Sequence, residues 1–136
     1  MARPIVTLVL LAALAVPGLS QARETPADPG RYAAAWKRGA AKPAPPRTLA
    51  EEARCSAAWQ MVWTVYWIST RDTLPPGFDR KSLEAQSQAW YDRLDEQGDA
   101  GRQAMKTADQ TIIQPLAKAG EREKIMEIAG ACGLTD

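Results

Sequence analysis

Cys55 and Cys132 are the only two thiols in this 136-residue chain, and they stand 77 positions apart. If they pair, the fold must bring an early segment and the last segment into contact. Whether they pair depends on the compartment, because disulfides persist only where the surroundings oxidise. The first residues bear on this. Arg3 gives a positive start, an apolar run extends from Ile5 to Val16, and Pro17-Gly18 breaks it. Ser20-Gln21-Ala22 then sets small residues at the two positions a signal peptidase reads. The run is too short to span a bilayer, so removal is expected rather than anchoring. No cysteine lies near the cleavage site, which argues against a lipoprotein. Residues 1–22 are therefore expected to be a signal peptide cleaved after Ala22, and the protein is expected to be periplasmic or secreted. In that setting an even cysteine count favours a Cys55–Cys132 bridge. Closing so long a ring stabilises by about 4 kcal/mol in the loop-entropy model.

Charge divides the remainder unevenly. Residues 23–47 hold six basic side chains and two acidic ones, whereas residues 48–136 hold ten and fourteen. A basic arm beside an acidic body either folds back on it or reaches an anionic surface, and complementarity within the chain favours fold-back. An acidic body and an extracytoplasmic address argue against nucleic acid. There is no histidine, so the usual zinc and haem ligand and the usual general base of a nucleophilic triad are missing. No Walker loop, GxGxxG, HExxH or CxxCH occurs. The sequence indicates no cofactor, no metal site and no catalytic set.

Pro26, Pro29, Gly30, Gly39, Pro43, Pro45 and Pro46 mark residues 23–47 as an irregular lead-in. Within it Tyr32 and Trp36, at i and i+4, predict one or two helical turns. Thr48-Leu49-Ala50-Glu51 reads as a capping box opening a helix that runs to about Ser69 or Thr70. Its core face carries Cys55, Trp59, Val62, Tyr66 and Ser69 at the helical period. The stretch from Met61 to Ile68 is apolar almost all round, and its β-branched and aromatic content makes a strand the competing reading. The cap and the unbroken length favour helix. A second helix is expected behind an Asp79 cap with a Phe78–Leu83 staple, with Leu83, Trp90 and Leu94 inward and an end near Gly98. Asp99 is expected to cap a third, bearing Met105, Ala108, Ile112 and Leu116, with Pro115 ending or kinking it around Ile113. A last helix runs from Glu121 to about Ala131, with Ile125, Ile128, Ala129 and Cys132 inward and Gly133 as its stop.

The expected fold is thus all-α: a small, disulfide-tied bundle of about four helices over residues 48–136, following the lead-in, with the Trp-rich helix central. Trp36, Trp59, Trp63, Trp67 and Ile68 are the candidate binding or interface residues. Tryptophans recurring every fourth residue serve either as a stacking platform or as ordinary core and dimer packing, and packing is the commoner use. Asp92, Asp95, Glu96 and Asp99, like Glu51 and Glu52, read as solvated faces with basic neighbours. The leading functional expectation is an exported, non-enzymatic binding or protein-interaction module that uses the Trp-rich helix. It would work through self-association or a protein partner, without nucleic acid or a membrane anchor. A stress chaperone or enzyme inhibitor is the alternative, and a carboxylate-dependent hydrolase is remote.

Overall fold

A computed structural model describes residues 30–68, 74–75 and 77–136. The leader expected at 1–22, the cleavage after Ala22 and the Ser69 end of the Trp-rich face lie outside these residues. Described elements are all helical: α1 (Arg31–Ala40), α2 (Leu49–Ile68), α3 (Arg80–Asp95), α4 (Gly98–Ala108), a π-helical turn (Asp109–Ile113), α5 (Gln114–Lys118) and α6 (Arg122–Cys132). Because α4, the π turn and α5 follow without a break, they form one rod, so the described part of residues 48–136 holds the four rods expected there and α1 adds a fifth from the lead-in.

The central helix is α2, which packs on α3, α4, α6 and the π turn. Its start is fixed by the Thr48 hydroxyl, which accepts the Glu51 amide at 3.2 Å. The Glu51 carboxylate does not complete the expected box on Thr48; it accepts the Arg47 amide, one residue earlier, at 2.7 Å. Cys55, Trp59, Val62 and Tyr66 are all buried, as their spacing predicts. Against them lie Leu83, Trp90 and Leu94 of α3 and Ile125, Met126 and Ala129 of α6. Cys55 and Cys132 are bonded, joining the first turns of α2 to the end of α6, with Cα atoms 5.8 Å apart.

Asp79 caps α3: its carboxylate accepts the Ser82 amide at 2.7 Å, and the Ser82 hydroxyl accepts the Asp79 amide at 2.9 Å. The Ser82 amide, followed by the Ser82 hydroxyl, holds the Asp79 carboxyl below its ordinary 3.8. Asp99 does not cap the next helix. Helix α4 begins at Gly98 with Gln97 at the cap position, so Asp99 falls inside the first turn and pairs with Arg102 at 2.5 Å. Gly98 supplies the left-handed backbone (φ 65°) that lets α4 start so soon after α3.

Around Pro115 the chain does something the α-helical template cannot describe. Proline has no amide to donate and its ring crowds the preceding turn. The helix widens ahead of it, and the Gln114 amide reaches back to the Asp109 carbonyl, five residues away. The inserted residue turns the inward face by one position, so Ile113 is buried and Ile112, expected inward, is only half-buried.

Residues 30–47 hold more order than an irregular lead-in with a turn or two. Helix α1 has ten residues and lies along α6, running in the same direction, with Ala33, Ala35 and Gly39 buried. The backbones approach closely because the crossing is made by glycines. A Cβ on Gly39 would sit 2.7 Å from the Glu127 carbonyl carbon, and one on Gly130 would sit 3.0 Å from the Ala40 nitrogen. The Ala44 amide then donates to the Ala131 carbonyl at 2.8 Å, continuing the seam past the helix end. Basic and acidic segments do meet here: Arg31 pairs with Glu123, and Arg38 with Glu127 at 2.7 Å. Both arginines are exposed, which weakens these pairs, so the glycine seam carries most of the docking energy and the charges orient it.

Candidate functional site

Helical geometry separates the five candidate residues. Each four-residue step advances about 40° round the axis, so Trp59, Trp63 and Trp67 spiral from the core outward. Trp59 is fully buried, Trp63 half-buried and Trp67 65 % exposed. Trp36, on α1, is half-buried. Its ring meets Phe78 edge-on at 5.7 Å, and Phe78 in turn meets Trp59 at 5.8 Å. That cluster ties α1, the approach to α3 and α2 together, so Phe78 works as a three-way wedge. The indole nitrogens of Trp36, Trp59 and Trp90 are buried without an acceptor among the described residues. The rings serve here as apolar bulk, offsetting the unmet donors.

What remains at the surface is the pair Trp63–Trp67, with centroids 5.3 Å apart and planes tilted by 47°. Ile68 closes α2, and its side chain lies outside the described ones. Beside the pair, Gln60, Trp63, Glu84, Ser87, Gln88 and Tyr91 line a groove of about 230 Å³ between α2 and α3. The groove wall is fixed from within, since the Gln60 side-chain amide donates to the Ser87 carbonyl at 3.4 Å. Of the five candidates, then, the structure brings Trp63 and Trp67 together on one surface, while Trp36 and Trp59 sit in the ring cluster.

All but Glu96 of the acidic residues singled out in the sequence are engaged by neighbours. Asp95 and Asp99 both hold Arg102, at 3.1 and 2.5 Å. Glu52 accepts from Arg93 at 2.9 Å and from Gln97 at 2.8 Å, tying α2 to the end of α3. Asp92 accepts from Gln88 at 2.8 Å. Among the described residues no group of three or more acidic or cysteine side chains is placed to hold a metal ion. Nor is any described helix long and apolar enough to cross a membrane.

A second concavity went unnoticed in the sequence. About 410 Å³ of open space lies where the end of α1, the outer face of α6, Leu116 of α5 and Arg54 of α2 converge. Its cations come from three distant stretches of chain, so no local pattern announces it. One available signal was Arg54 itself, a permanent charge placed directly before a core cysteine.

No protein-family description matches the chain, and neither does any curated protein or solved structure.

Proposed function

We propose that this chain is an exported, non-enzymatic interaction protein that pairs with a second copy of itself through the end of α2. The observation that carries the reading is the Trp63–Trp67 ledge, with Trp67 65 % exposed and Trp63 half-buried on a helix whose Trp59 and Tyr66 are covered. Large aromatics left in water beside a mostly uncharged polar rim have the character of a protein contact. That rim suits a two-fold contact: Gln60, Ser87, Gln88 and Tyr91 carry no charge and Glu84 is its one charged member, so identical ledges face each other with little repulsion. The engagement of Asp95, Asp99 and Glu52 in ion pairs supports a structural role for the carboxylates rather than a chemical one.

The test is light scattering across a concentration series, on protein recovered as its host processes it and with the Cys55–Cys132 bridge intact. A dimer that Trp67→Ala reduces to monomer is the expected result. A monomer at every concentration would overturn self-association. An N-terminus beginning before Arg23 by mass spectrometry would overturn the cleavage site.

A further inference from the structure

We propose that the cavity between α1, α6 and the start of α2 binds an anion carrying a short apolar body, of the class of medium-chain carboxylates. Four cations line it (Arg38, Lys42, Arg54 and Lys124) against the single carboxylate of Glu127. Two of the four are engaged: Arg38 pairs with Glu127 at 2.7 Å, and Lys124 with Glu121 at 3.0 Å. Lys42 and Arg54 have no carboxylate partner among the described residues. Arg54 is the telling one. Its Nε is buried and meets no acceptor, and a guanidinium cannot shed its charge to relieve that. Arg54 lines the cavity, so an anion entering there would supply the counter-charge that its guanidinium lacks.

The remaining wall is apolar, formed chiefly by Leu116, Ile128 and Ala131, so a fully hydrated ion would match only part of it. At roughly 30 Å³ per water-sized group, the cavity has room for about fourteen such groups, enough for the carboxylate and chain of decanoate. The site is also held in place. The Cys55–Cys132 bond anchors Arg54 beside the end of α6, and the Ala44–Ala131 backbone bond at 2.8 Å fixes the turn that carries Lys42. Preorganised cations over a shaped apolar floor are what recognition of an amphiphilic acid requires.

The test is calorimetric titration of the oxidised protein with decanoate, decanol and inorganic phosphate, decanoate being kept below its micellar concentration. Saturable one-to-one binding of decanoate is expected, with decanol and phosphate each weaker by tenfold or more. Arg54→Gln and Lys42→Gln should each weaken decanoate roughly tenfold to a hundredfold. Arg54→Gln should melt no lower than the parent, because it removes an unmet buried donor; Lys42→Gln, at an exposed position, is the second variant should that one fail to fold. Trp67→Ala should leave decanoate binding unchanged, separating this cavity from the α2 ledge. Absence of decanoate binding would overturn the proposal, as would equal binding by decanol or by both glutamine variants. Phosphate binding as tightly as decanoate would overturn the apolar half of the ligand.

Discussion

Replacing Gly130 by alanine gives the sharpest prediction, because two well-founded effects have opposite signs there. Gly130 sits inside α6, where alanine is the better helix former by about 1 kcal/mol. A methyl at that point, however, falls inside the van der Waals envelope of the Trp36 carbonyl oxygen and 3.0 Å from the carbonyl carbon. Both obstacles are backbone, so no side chain can swing aside. Helix α1 would have to retreat by about an ångström, and a gap of that size forfeits a quarter to a half of each contact along the seam. Overpacking of this kind costs up to about 3 kcal/mol; less the propensity gain of about 1 kcal/mol, the net loss is about 2 kcal/mol. For a domain of this size that lowers the melting temperature by about 8 °C. Urea and thermal unfolding of the oxidised protein, followed by tryptophan fluorescence, measure it, and Trp36 on the moving helix should report a local change at low denaturant. A Gly130→Ala protein as stable as the parent, or more so, would refute the glycine seam.

Other consequences of the fold are also measurable. Cys132→Ser should lose about 4 kcal/mol of stability, read as a lower urea midpoint than that of the oxidised parent. At the π turn, Ile113→Ala should cost about 3 kcal/mol and Ile112→Ala about 1 kcal/mol or less; equal costs would mean that the inward face had not shifted. Asp79 has a carboxyl held below 3.8 by the Ser82 amide, so its contribution is complete above pH 3.8 and is lost as pH falls through the lower native value. The stability gap between the parent and Asp79→Asn should therefore narrow below pH 3.8, and a gap constant down to strongly acidic pH would contradict the cap.

The parts of the fold legible in the sequence were those governed by a single periodic rule. Cys55, Trp59, Val62 and Tyr66 follow one helical face, Leu83, Trp90 and Leu94 follow another, and burial of all seven is what a 3.6-residue repeat predicts. The disulfide was legible for the same reason, since both cysteines fell on inward faces. Two features escaped because the relevant residue has two uses. Gly39 reads as punctuation in a Pro-rich stretch, yet in the fold its missing side chain lets α1 press against α6. Pro115 reads as a terminator, yet the chain widens into a π turn and continues, displacing the inward position from Ile112 to Ile113. The candidate surface was half legible: α2 was singled out, but the drift of a four-residue spacing sends Trp59 inward and Trp67 outward. The cationic cavity was not legible at all, because Arg54, Lys42 and Lys124 converge only once the bundle has closed.

That α1 and Cys55 both rest on α6 has a consequence for how the molecule is made. A chain leaves the ribosome N-terminus first, so α1 appears early and waits for a helix that starts only at Arg122. Its Arg38–Glu127 partnership spans 89 positions, and the covalent bond spans 77. Neither can form on a partial chain. Contacts of such separation delay folding, because the loop must be closed before anything is gained. The eleven residues of α6 therefore act as a completion signal. Until they are synthesised the N-terminal helix has no seat and Cys55 no partner, and a chain stopped short of them lacks both fastenings at once.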